Sequence, residues 1–129
     1  EQLADLAGFV GTDVLVAHNA GFDMAVLKRA SEATGDDHPA YRYACSLQVA
    51  RKVYDLESYR LPFVAAEAGF RDFPHHNATA DALACAHVMI DAARRVGADD
   101  IDALAALAGV KVSQIVLAAD PSAPVAFFA

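Results

Sequence analysis

The chain has 129 residues, 56% of them apolar, which is the size of one domain and ample for a single core. Its formal net charge of −7 argues against a protein that grips nucleic acid through a broad basic surface, because Lys and Arg neutralising phosphates supply most non-specific affinity. No apolar run nears the roughly 18 residues that cross a bilayer, so the expectation is a soluble, cytoplasmic protein with no membrane partner.

Leu3, Leu6, Ala7 and Val10 recur at helical spacing, and Gly11-Thr12-Asp13 breaks the pattern. Val14-Leu15-Val16-Ala17 is a compact apolar run between turn residues, as in a buried strand of a sheet covered on both faces. Asn19 suits the N-cap of a helix reaching Thr34, with Phe22, Ala25, Val26 and Ala30 on one face and Gly35 as its stop. After Pro39 a short strand is expected over Tyr41–Ala44, and Ser46 is expected to cap a helix with Leu47, Val49, Ala50 and Val53 inside. Pro62 belongs in the first turn of a short helix that Gly69 closes. Asn77 or Thr79 opens the longest helix, whose Leu83, Ala86, His87, Ile90 and Ala93 form the expected inner stripe as far as Gly97. Asp99-Asp100 can cap a last helix through Leu107, Val110–Leu117 suits a strand or extended arm, and the tail with Pro121 and Pro124 suits a tether. Cys45 and Cys85 have apolar neighbours and no C-x-x-C spacing, which points to buried reduced thiols rather than a disulfide or zinc site.

Two segments carry chemistry. His18-Asn19-Ala20-Gly21-Phe22-Asp23 and His76-Asn77-Ala78-Thr79-Ala80-Asp81 each bring a histidine and an acid to the mouth of an expected helix. Carboxylate oxygens suit Mg²⁺ and Mn²⁺, and two such ions held close together activate water and stabilise the leaving oxygen in phosphodiester cleavage. Histidine, with an ordinary pKa near neutrality, suits removal of a proton from that water. His76 lies five residues before Asp81, close enough to share one site. Either acid by itself would also fit as a first-turn complement to a helix dipole.

In order, spacing and setting, these segments resemble the second and third motifs of the DEDDh exonucleases, a family that includes bacterial proofreading exonucleases, RNase T and oligoribonuclease. The resemblance implies that Asp23 and Asp81 are catalytic metal ligands and that His76 is the general base. It also implies that Asn19 supports the site by hydrogen bonding and that Phe22 packs near the terminal nucleotides, both as substrate-binding residues. His18, at a strand's end, fits a satisfied core or supporting residue better than a ligand. Ala44-Cys45-Ser46-Leu47 and Leu61-Pro62-Phe63-Val64-Ala65 resemble stretches between the two motifs in polymerase-type members. Arg51-Lys52 and Arg94-Arg95 are candidate phosphate contacts, although paired bases on helices usually mark solvated faces.

The family's first motif, an Asp-x-Glu on the opening strand, has no counterpart, since Asp55-Leu56-Glu57 has the spelling but belongs to a helix end. The expected fold is therefore α/β, an RNase H-like exonuclease fold truncated at the N-terminus, with the first strands missing and Val14–Ala17 as the fourth. Residues 1–97 are assigned to the C-terminal part of the exonuclease domain, and 98–129 to an additional helix and extended tail of the same domain. The implied function is metal-dependent 3′-5′ hydrolysis from a single-stranded 3′ end, of DNA sooner than RNA, as in the epsilon subunit of DNA polymerase III. Mg²⁺ or Mn²⁺ would occupy a two-metal site that is incomplete in this chain, so these residues alone are expected to turn over weakly or not at all. A DNA polymerase is an expected partner, and the unpaired flank of the fourth strand invites a homodimer. The competing expectations are an RNA-trimming exonuclease of the same family and a non-catalytic RNase H-like interaction domain.

Overall fold

A computed structural model of the chain describes residues 2–10, 13–34, 41–71 and 77–115. Strands β1 (Leu15–Ala17) and β2 (Arg42–Cys45) run parallel, with Leu15 opposite Tyr43, Val16 opposite Ala44 and Ala17 opposite Cys45. Strand β3 (Ser113–Gln114) lies antiparallel along the other edge of β2. β2 is thus central, and the outer edge of β1 has no partner strand among the described residues.

Alternation along the strands divides the core in two. Leu15 and Ala17 pack with Tyr41, Tyr43 and Ile115 against helices α1 (Gln2–Val10) and α2 (Ala20–Thr34), through Val10, Ala20 and Met24. Val14, Val16 and Ala44 point the other way, toward helices α3 (Ser46–Val53), α4 (Leu61–Glu67), α5 (Ala78–Val96) and α6 (Ile101–Ala108). Val49, Val64, Val88, Met89, Ala92 and Leu104 fill that layer. Helices on both faces explain why β1 is apolar at successive positions instead of alternating with polar residues.

The helix ends follow their local chemistry. Asn77 accepts the Ala80 amide at 3.0 Å and Asp100 accepts that of Ala103 at 2.7 Å, so each side chain satisfies a donor the first turn would leave unpaired. Gly97 closes α5 in the left-handed region, with φ of 73°. Pro62 sits in the opening turn of α4, where its missing N–H costs nothing. Just after α3, Tyr54 donates to Asp91 of α5 at 2.6 Å. Arg95 bonds the same carboxylate at 2.8 Å, reaches Glu67 of α4 at 3.3 Å and lies 4.6 Å from the Tyr54 ring centroid. Arg95 is therefore engaged within the protein as a staple between helices.

Three expectations are corrected. The inner face of α5 is Ala80, Ala84, Cys85, Val88, Met89 and Ala92, while Leu83 and Ile90 are 50% and 52% exposed and Ala86 and His87 are exposed. The helix carries two apolar stripes, and the one rich in alanine is the buried one. On α2 the buried positions are Ala20, Met24 and Ser31, whereas Val26 and Ala30 are exposed. Ser46 is the first residue of α3 rather than its cap; Cys45 occupies the cap position, with no side-chain cap bond. Within the expected C-terminal strand or extended arm, the strand among the described residues is Ser113–Gln114, followed by the Ile115 amide donating to the Tyr41 carbonyl at 2.9 Å, while Gly35, Pro39 and residues 116–129 lie outside the described residues.

Candidate active site

Parallel strands deliver the chain, at their carboxyl ends, to the place where ligands gather in α/β sheets. His18 follows β1 and Ser46 follows β2, so the Ala17–Cys45 register sets them side by side. The turn after β1 leads directly into α2, whose first turn carries an exposed Asp23. Asp81 occupies the first turn of α5 and is half-buried, its amide bonded to the Asn77 carbonyl at 2.9 Å. Asp23 and Asp81 line one cleft of about 330 Å³ together with His18, Leu61, Ala78 and Cys85. The fold therefore brings together the two acids that the sequence singles out. Two roomier cavities, one under α2 and one along the open edge of β1, have mostly apolar walls.

His18 has both ring nitrogens engaged. Nε2 lies 2.7 Å from the Tyr59 carbonyl and Nδ1 lies 2.8 Å from Ser46 Oγ. A carbonyl can only accept, so Nε2 carries the proton. Burial lowers the His18 pKa, partly opposed by the bond to Tyr59 and assisted by the charge of Arg51, and the ring is neutral near pH 7. Nδ1 is then an acceptor, and the Ser46 hydroxyl donates to it. The Cys85 thiol, 3.8 Å from Ser46 Oγ, follows Asp81 by one helical turn. Burial pushes this thiol above its ordinary range, and the charges of Asp81 and Asp23 push it in the same direction. A thiol held protonated in this way is a poor nucleophile and a poor metal ligand.

Asn19 immediately precedes α2, exposed and with φ of 68°, a left-handed conformation that asparagine tolerates better than most side chains. Phe22 belongs to the first turn of α2, but its side chain falls outside the described residues, as do His75 and His76. Asp55 and Glu57 are exposed in the segment after α3 and lie on no strand. Cys45 and Cys85 are free thiols, and Cys45 Sγ accepts the Ala20 amide at 3.4 Å, which ties the start of α2 to the end of β2. Tyr59 and Cys85 are site residues that no motif identifies, and Ser46 and Leu61 lie in the family-like stretches without being marked as site residues; the parallel register of β1 and β2 is what pairs Ser46 with His18.

Two carboxylates offer hard oxygen donors of the kind that hold Mg²⁺ or Mn²⁺. Among the described residues no group of three or more His, Cys, Asp or Glu side chains is gathered closely enough to hold a metal ion. The donor chemistry fits a divalent ion, while the number of donors falls short of a complete pair of ion sites.

A mixed α/β sheet covered on both faces, with paired acids at the carboxyl ends of its parallel strands, is an RNase H-like arrangement. Residues 1–89 match the family model described as exonuclease, RNase T type, and the chain belongs to that exonuclease family. A Mycobacterium tuberculosis protein named as a bifunctional exonuclease/endonuclease is 34% identical over 102 residues, covering 77% of this chain and 16% of the relative. PolC-type DNA polymerase III of Thermotoga maritima is 34% identical over 91 residues, covering 70% of this chain and 7% of the polymerase. The corresponding polymerase of Clostridium perfringens is 36% identical over 92 residues, covering 69% of the chain and 6% of the polymerase. The chain thus spans a small part of the length of the curated relatives it matches. No solved structure gives a significant match. No helix among the described residues is long and apolar enough to cross a membrane.

Proposed function

We propose that the cleft between α2 and α5 belongs to a metal-dependent exonuclease that removes nucleotides from a single-stranded 3′ end, with DNA as its substrate. The observation that carries this proposal is the meeting of Asp23 and Asp81 in one cleft, within a chain of the exonuclease family. Asp23 and Asp81 would hold Mg²⁺ or Mn²⁺, and a divalent ion bound there supplies charge stabilisation and a more acidic water. His76 would take the proton of the attacking water. Asn19 would support the cleft and Phe22 would pack against the terminal nucleotides.

Further acidic ligands must join these two before the site is complete, so the 129 residues alone are expected to show little or no turnover. The names of the PolC-type relatives favour DNA over RNA and favour a polymerase as partner. Residues 1–97 would form the exonuclease unit, with 98–129 as its additional helix and tail. The open edge of β1 would let two copies pair. A non-catalytic interaction domain is favoured by one observation, that among the described residues no three His, Cys, Asp or Glu side chains are gathered closely enough to hold a metal ion.

The test uses full-length protein with 3′-labelled single-stranded DNA and RNA in Mg²⁺ or Mn²⁺. Stepwise shortening of DNA from the 3′ end, abolished by Asp81→Ala, is expected. Full metal-dependent activity in Asp81→Ala would contradict the assignment, and no cleavage of either substrate would favour the interaction domain.

A further inference from the structure

We infer that His18 is a positioning residue that holds the two acid-bearing helices at a fixed separation by clasping three walls of the cleft at once. This rests on the reading of Asp23 and Asp81 as ion ligands. The first wall is the turn between β1 and α2, where His18 itself stands five residues before Asp23. The second is the start of α3, where Ser46 meets Nδ1 at 2.8 Å. Ser46 is fully buried and its hydroxyl also lies against Cys85 Sγ at 3.8 Å, which carries the contact to α5 one turn beyond Asp81. The third wall is the segment entering α4, where the Tyr59 carbonyl accepts from Nε2 at 2.7 Å and Leu61 then lines the cleft.

One rigid, planar ring therefore connects elements that contribute Asp23, Asp81 and Leu61. Nε2 carries a proton and the Nδ1 lone pair accepts from Ser46, which leaves no nitrogen free for an ion. The Ser46 bond is not replaceable by water at low cost, because Ser46 is fully buried and its hydroxyl would be left with only the distant, weakly accepting Cys85 sulfur at 3.8 Å. A second tie, from the Ala20 amide to Cys45 Sγ at 3.4 Å, fixes the start of α2 to β2 but reaches neither α4 nor α5. The imidazole is the side chain that closes the ring of contacts around the acids.

The experiment measures Mn²⁺ affinity of the full-length protein by electron paramagnetic resonance, alongside its thermal unfolding. His18→Ala is expected to weaken Mn²⁺ binding by about tenfold, the scale on which loss of an orienting partner lowers metal affinity. Ser46→Ala removes one arm alone, remains informative if His18→Ala fails to fold, and is expected to weaken binding in the same direction. The double variant should lose no more than the worse single variant, as residues in one network do. Leu104→Ala, in the core of α6 and away from the cleft, serves as a control of lowered stability and should keep its Mn²⁺ affinity when compared at a temperature where it is folded. Unchanged affinity in His18→Ala or Ser46→Ala, or an equal loss in Leu104→Ala, would overturn the clasp while leaving the acids in their role. Unchanged affinity in both Asp23→Ala and Asp81→Ala would instead overturn the site reading, and the clasp with it.

Discussion

Which face of α5 packs can be decided by truncating one residue from each stripe in the 129-residue chain. Val88 is fully buried, and Val88→Ala removes two buried carbon groups worth about 0.8 kcal/mol each. The void left behind adds about 1 kcal/mol, and the better helix propensity of alanine returns about 0.6 kcal/mol. The net cost is about 2 kcal/mol. Ile90 is 52% exposed, so Ile90→Ala loses half the transfer energy of three carbon groups, about 1.2 kcal/mol, opens no closed void and regains about 0.4 kcal/mol of propensity. Its net cost is about 0.8 kcal/mol. Urea unfolding followed by far-ultraviolet circular dichroism measures both, with the slope checked so that only the midpoint is compared. A cost for Ile90→Ala equal to or above that for Val88→Ala would refute the packing described for α5.

Three further outcomes follow from local contacts. Because the folded pKa of His18 lies below its ordinary value of 6.5, its contribution to stability is complete above that pH and is lost as pH falls through the lower folded value. His18→Gln should therefore flatten the decline of Tm on acidification from neutral pH, and an unchanged decline would show that His18 titrates alike in both states. Tyr54→Phe deletes the bond to Asp91, which still keeps Arg95, and should cost about 1 kcal/mol in urea unfolding; no loss would mean the Tyr54 hydroxyl is equally well served by water. Asn77→Ala should cost about 1 kcal/mol through the lost cap, whereas Asn77→Asp should retain most of the stability, so equal losses in the two would rule out capping as the cause.

Much of the architecture was legible because its signals are local. The run Val14–Ala17, the caps Asn77 and Asp100 and the stops Gly97 and Gly109 are set by chemistry within a few residues, and β1, α5 and α6 begin and end close to where those signals stand. Which side of a helix faces the core is not local. Both α2 and α5 carry apolar residues around much of their circumference, so counting hydrophobicity selects Val26 and Ile90, while close packing selects Ala20, Ala84 and Ala92. Ser46 was misjudged for a related reason. A serine at a strand-to-helix junction suits a cap, and only the pairing of β1 with β2 shows that its hydroxyl is taken by His18.

The two His/Asp segments look alike as text, and the structure around the first bears on what its histidine can do. His18 stands at the end of a buried strand, where the parallel register surrounds it with a carbonyl acceptor and a hydroxyl donor of fixed position. A ring with both nitrogens committed cannot cycle a proton without breaking one of those bonds, so the geometry directs His18 toward support. His76 precedes the cap residue Asn77 in sequence and lies outside the described residues. Of the two histidines, the strand-end one thus fits holding the cleft in shape, and the one before the cap keeps the role of proton acceptor proposed for it.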